Sequence, residues 1–292
     1  MVTELTRKIL IASIFFISAS FLRTFSQNTP GCDMRFINHL FRTGYLEEAL
    51  FLLDSKDCSS FQMNDSVNYL RGRSYLLLNR LESSSESFLK VAPTSSLYPE
   101  SYFYAAYNYA QTDNLIKAEG ILEKIEVEPQ NHLWLKNYEI AGIKLLQGDL
   151  ISFNERLDKI ENDLPETDAS TINLMNISAE INSHKSKSPV LAGLLSVIIP
   201  GSGKFYAGRK GEAISTFLST AGTGLVTWEN YRKNGLNDYR TIAFGAIFAL
   251  SYLANIYGSA FSVTVLENDF KEHVKTEVLF NMHIPLNSFF NK

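Results

Sequence analysis

Histidine pairs are missing from this chain: His39, His132, His184, His273 and His283 are scattered without a His-x-x-x-His or Glu-x-x-His spacing. Those two helical metal-site signatures are therefore absent. An excess of positive charge is missing too, because 27 Lys and Arg stand against 31 Asp and Glu for a formal net charge of −4. That balance excludes an electrostatic grip on nucleic acid. No nucleophile motif is complete: Ser202 in "GSGK" has Pro200 rather than a glycine two places before it, and no strand precedes it. The same letters fail as a phosphate loop, since Ile198 stands five places before Gly203 and Phe205 follows Lys204 where a metal-binding hydroxyl is required. With no catalytic, metal, cofactor or nucleotide site in view, the chain reads as a protein that is not an enzyme.

What is present is unevenly spread. The uninterrupted apolar runs fall in residues 9–22 and 189–266, while the middle carries most of the acids. This is the pattern of a soluble domain joined to a membrane piece. At the N-terminus, Arg7 and Lys8 precede the first run, and "TFSQ" places Thr24 and Ser26 where a signal peptidase reads small residues. Residues 1–26 thus have the layout of a secretory signal peptide, too short in its apolar part for the roughly 20 residues of a spanning helix. The two cysteines agree with export: Cys32 precedes one candidate helix and Cys58 follows the next, so an antiparallel pair brings them within reach of a disulfide in an oxidising compartment.

Self-similarity appears from residue 33 to 163. "LFRTGYLEEALFLL", "YLLLNRLESSSESFLKVAP", "YNYAQTDNLIKAEGILEKI" and "KLLQGDLISFNERLDKI" share an apolar helix, a turn residue and a second apolar helix. The turn residues Gly44, Asn79, Asp113 and Gly148 recur at intervals of 35, 34 and 35. Gly72, Tyr75 and Phe88 in the second unit, Ala49 and Ala118 at the small position of the first and third, and Pro93 and Pro129 near the closing position resemble the tetratricopeptide repeat. Ser84 and Phe153 depart from its small alanine. The resemblance implies an all-α, tetratricopeptide-like helical-hairpin solenoid over residues 27–163, with a concave groove for a protein or peptide partner. The family's groove positions fall on Asn38, Tyr69, Arg73, Phe103, Tyr107 and Tyr138. The aromatic stretch "YPESYFYAAYNYA" cannot place every ring on one face, so some belong to the core and others to the groove. The layout as a whole looks like proteins of the Bacteroidota type.

Residues 164–187 read as a capping helix, opened by Asp168, and a polar linker "KSKSP". Three apolar segments follow, 189–200, 211–228 and 241–266, making a small helical membrane domain over 188–266. Small residues recur every fourth position as Ser215, Ser219 and Thr223 and as Ala254, Gly258 and Ser262, a stripe that lets helices approach in lipid. If all three segments cross, five basic residues lie on each side; if the first only dips in and returns, seven of the ten share the side of the repeats. In the tail, 267–292, Val278, Phe280, Met282 and Ile284 alternate as in a short strand.

The stretch "IPGSGKFYAG" carries Pro200, Gly201, Gly203, Tyr206 and Gly208. It resembles the Pro-Gly-x-Gly-x-x-Tyr-x-Gly signature of a family of small bacterial membrane domains with two spanning helices. That resemblance implies a membrane turn, with Tyr206 at headgroup level and Lys204, Arg209 and Lys210 facing lipid phosphates. The expected protein is an exported adaptor of the cell envelope, anchored in the inner membrane with its repeats in the periplasm. The alternative gives the membrane domain a transport or lipid-related role, marked by Asn255 and Glu212, the polar residues within or beside its apolar segments.

Overall fold

The computed structural model describes residues 32–55, 58, 64–126, 130–161 and 169–290. The expected signal peptide and the Asp168 cap lie outside them. Among the described residues are thirteen helices and no strand, and the fold is all-α. Two compact units divide the chain, one ending at Lys136 and the other running Asn137–Asn291.

The first unit holds α1 (Met34–Thr43), α2 (Leu46–Leu53), α3 (Asn64–Leu77), α4 (Leu81–Phe88), α5 (Tyr98–Gln111) and α6 (Leu115–Lys124). Each of these helices packs on the next. Asp33 starts α1 by accepting the Arg35 and Phe36 amides, which would otherwise lack partners. The turns repeat in detail. Gly44, Asn79 and Asp113 all take positive φ, at 84°, 57° and 61°. The following amide then reaches back to the last helical turn, Tyr45 to the Leu40 carbonyl at 2.9 Å, Arg80 to Tyr75 at 2.8 Å and Asn114 to Tyr109 at 2.9 Å. These are left-handed helix caps, which glycine adopts freely and Asn and Asp tolerate.

Close helix crossings fix the small residues. Ala49 and Ala118 are fully buried. Ser84 fills the equivalent place with a hydroxyl that donates to the Gly72 carbonyl at 2.8 Å and accepts from the Asn108 amide at 2.9 Å. A Cβ on Gly72 would stand 2.5 Å from the Phe88 ring, so the helices meet only with glycine there. Phe88 stacks on Tyr104, ring centroids 5.9 Å apart, in a core that also buries Phe103. Cys32 and Cys58 are at disulfide distance, 2.11 Å between sulfurs, next to the buried cluster of Ile37, Ala49, Leu53, Val67 and Leu70.

The second unit begins within α7 (Gln130–Gln147) and continues through α8 (Leu150–Glu161), α9 (Ala169–Ser183), α10 (Pro189–Ile198), α11 (Ser202–Tyr206), α12 (Lys210–Asn234) and α13 (Tyr239–Phe290). The turn between α7 and α8 is a fourth copy of the cap, with Gly148 at φ 74° and Asp149 reaching the Lys144 carbonyl at 2.9 Å. Yet the fourth hairpin groups with the C-terminal helices, not with the first three. α13, at 52 residues, spans about 78 Å at about 1.5 Å per residue, packs on α9 and meets α7 near its C-terminal end.

The strand expected over 278–284 is therefore corrected to the end of this helix. Its buried residues Val274, Val278, Asn281, Met282, Pro285 and Leu286 follow the helical period, and Phe280, which strand alternation would have buried, is exposed. Without a partner strand, only helix satisfies the backbone here. Pro285 has no amide to donate to the Asn281 carbonyl one turn back; the Tyr138 hydroxyl of α7 donates to that carbonyl instead, at 3.0 Å. Beside it, Met282 fills a space that α7 leaves open at Gly142, where a Cβ would meet the methionine sulfur at 2.5 Å.

Candidate functional site

The repeat-face residues fall into two groups. Phe103 and Tyr138 are fully buried and Tyr107 is buried, so these three offer no surface to a partner. Large rings on closely packed helices are taken up by the core before they reach a groove. The same holds for most of "YPESYFYAAYNYA", in which Tyr98, Tyr104 and Tyr109 are buried as well. Asn38, Tyr69 and Arg73 remain half-buried. Asn38 donates to the Met34 carbonyl of its own helix at 2.8 Å. Tyr69 and Arg73 converge on Glu100, the phenol at 2.6 Å and the guanidinium at 2.9 Å. Arg73 also lies over the Tyr104 ring, 5.2 Å from its centroid. Burial, followed by the bond to Glu100, raises the Tyr69 phenol above its usual range. Glu100 was not anticipated, although its place beside Pro99 in the first turn of α5 is where an acid is favoured.

The turn motif sits at the centre of the second unit. Ser188 caps α10, Pro200 follows its end, and α11 returns alongside it, so that the Ser188 amide donates to the Tyr206 hydroxyl at 3.3 Å. α10 and α11 thus form a pair packed against α13. Gly201 has φ 86°, and a Cβ there would overlap the Ala213 carbonyl oxygen; a Cβ on Gly203 would overlap that of Ala192. Both obstacles are backbone and cannot swing aside. The amide of Gly201 donates to Asn255 Oδ1 at 2.8 Å, and Asn255 Nδ2 donates to the Ser196 carbonyl at 3.1 Å. Gly203 donates to Ser196 Oγ at 2.9 Å, which donates to Ser259 Oγ at 2.7 Å. The Gly201 and Gly203 amides, buried inside the bundle, are thereby both met. Gly208, at φ 90°, ends the turn before α12.

α12 and α13 run antiparallel, with Gly224 against Phe248 and Thr227 against Gly245. Among the described residues, α13 is the one helix both long and apolar enough to cross a membrane, and only 11% of its apolar window is buried. The bundle turns its large side chains outward: Val190 is 71% exposed, Ile198 77%, Leu225 68%, Leu250 68% and Phe261 67%. Of the 33 exposed large hydrophobics among the described residues, 23 lie between residues 190 and 261. At the base, Glu267 accepts from the Lys187 amide at 2.9 Å, the Ser186 hydroxyl at 2.9 Å and His184 at 3.1 Å. The Lys187 amide above all holds its carboxyl down at about 2. "KSKSP" is thereby fastened to α13, a role its composition did not reveal.

No three His, Cys, Asp or Glu side chains gather as a metal site among the described residues. A cleft of about 300 Å³ between α8 and α9 is lined by Phe153, Asn154, Leu157, Asp158, Met175 and Ser178, with one carboxylate and no cation. Comparison with protein-family models, curated proteins and solved structures finds no match to this chain.

Proposed function

We propose that this chain is an exported, membrane-anchored adaptor, its residues 189–266 seated in the inner membrane and its helical hairpins holding a protein partner. One observation carries the anchoring: the belt of exposed Leu, Ile, Val, Phe and Trp side chains around α10, α12 and the first half of α13. A soluble monomer rarely exposes an apolar patch beyond a few hundred Å², whereas lipid is the solvent that such a belt suits. The hairpins supply the adaptor half of the reading through their 34–35-residue recurrence, with partner contact resting on Asn38, Tyr69 and Arg73. A transport role has less support, because Asn255 spends both ends of its amide on the turn and Glu212 pairs with Arg209 at 3.2 Å.

Alkaline carbonate extraction tests the anchor: the chain is expected in the membrane pellet, and release into the supernatant overturns it. For the adaptor, Tyr69→Ala with Arg73→Ala is expected to abolish the cross-linked partners seen in intact cells; an unchanged set overturns that half. Orientation has two readings. The Cys32–Cys58 pair favours the periplasm for the hairpins. Against this, Lys185, Lys187, Lys204, Arg209, Lys210, Lys271 and Lys275 lie toward the linker end and only Arg232, Lys233 and Arg240 toward the other, which by the positive-inside rule favours the cytoplasm. A cysteine introduced at Asn237, probed with an impermeant reagent on spheroplasts, decides: protection supports the periplasmic hairpins and labelling supports the reverse.

A further inference from the structure

We infer that the turn between α11 and α12 is a binding site for the headgroup of an anionic phospholipid. The inference rests on the membrane reading above and assigns a lipid class to one end of the bundle. Four cations gather there. Lys187 Nζ lies 5.8 Å from the Tyr206 ring centroid and is what a Cβ on Gly208 would meet, at 4.0 Å. Arg209 and Lys204 meet the same carboxylate, Glu212, at 3.2 Å and 3.9 Å, and Lys210 is exposed beside them.

The anions facing this cluster are already engaged. Glu267 is taken by three donors at the linker, and Glu212 is shared between two cations. Four cations against two carboxylates leave a net charge of about +2, the sign that an anionic headgroup requires. Lys204 adds unused capacity: its ammonium has three donors, and Thr216 Oγ1 at 3.0 Å takes one of them. Gly258 on α13 leaves room for the lysine stem, where a Cβ would stand 3.8 Å from Cε. Around the cations, Val190, Phe205 and Ile214 are exposed, so apolar surface for acyl chains adjoins a polar edge for a phosphate. The opposite end is poorer, since Lys233 is paired with Glu229 and Arg232, Lys233 and Arg240 stand opposite Glu229 and Asp238.

The test reconstitutes the full chain into vesicles of phosphatidylcholine alone and of phosphatidylcholine with one-fifth phosphatidylglycerol, followed by flotation and thermal unfolding. Insertion into both, with unfolding several degrees higher in the anionic vesicles, is the expected result. Lys187→Gln/Arg209→Gln/Lys210→Gln is expected to insert equally and lose most of that rise, while Arg232→Gln/Lys233→Gln/Arg240→Gln keeps it. Equal stability of wild type in both vesicles, or equal loss in the two triple variants, overturns the headgroup site and leaves the anchor standing. Failure to insert into either vesicle overturns the membrane reading, and the headgroup site with it.

Discussion

The hairpins and the C-terminal bundle are built from the same element and packed in opposite senses. In the hairpins Phe88, Phe103 and Tyr104 lie inside, and small residues serve only where helices cross. In the bundle Ala192, Ser196, Ala213, Thr220, Asn255, Ser259 and Ser262 lie inside, while Leu194, Phe217, Leu218, Trp228 and Phe261 point out. One rule produces both arrangements. Water expels the rings of the hairpins, and their area holds the core together. In the proposed membrane setting a lipid exterior would expel nothing apolar, so close backbone approach and internal hydrogen bonds would have to join the helices.

If that contrast is right, Gly203→Val has the largest effect, because its side chain meets the Ala192 carbonyl rather than a movable group. Loss of the folded bundle is expected, beyond the roughly 4–5 kcal/mol of an exceptional substitution, read as disappearance of the monomer peak in detergent. Wild-type behaviour would show that backbone contact does not organise the bundle. Phe103→Ala comes next, expected to cost about 3–5 kcal/mol in chemical unfolding followed by circular dichroism. A cost below about 1 kcal/mol, the scale of a surface change, would place Phe103 outside the hairpin core.

Asn255→Leu keeps the size and removes the amide, orphaning the Gly201 amide and the Ser196 carbonyl. It is expected to destabilise by about 1–3 kcal/mol for each group left unmet; a more stable variant would show apolar packing to be the stronger glue.

Two carboxylates should respond oppositely to pH. Glu139 is buried and its carboxyl is pushed well above the usual range, so its contribution is intact below the unfolded value of about 4.3 and is lost as pH rises. Glu139→Gln, which never ionises, is expected to flatten that decline and raise stability at pH 7 by about 1 kcal/mol. Glu267, held at about 2, contributes above about 4.3, and that contribution fades as pH falls toward 2. Glu267→Gln is expected to remove the acid-side loss alone. Melting curves from pH 3 to 8 give both slopes, and parallel slopes in wild type and variants would refute the assignment. The smallest effect belongs to Gly211→Ala, where a Cβ meets nothing within 4 Å. A gain of up to about 1 kcal/mol is expected, and a loss would mean that α12 is packed where it now stands open.

Much of this was legible residue by residue. The turn positions Gly44, Asn79, Asp113 and Gly148 were readable because a left-handed cap restricts which residues end a helix. The apolar segments after residue 188 were readable because long runs of apolar residues stand out in composition alone. The rings of α5 were not assignable, since a helix of tyrosines looks alike whether it lines a core or a groove. Val278 to Ile284 misled because alternation over seven residues also occurs within a helix whose buried face is wider than one row.

The sequence by itself determined the helical class, the recurring caps, the position of the apolar segments and the glycines of "IPGSGKFYAG", for each rests on local backbone preference or on composition. Only the tertiary structure decided that Tyr138 completes the carbonyl freed by Pro285, that Glu267 fastens the linker, and that Asn255 holds the turn. Those outcomes depend on which groups, 54 to 143 residues apart, meet in space. A buried polar atom takes whatever partner the packing brings to it, and local sequence carries no record of that choice.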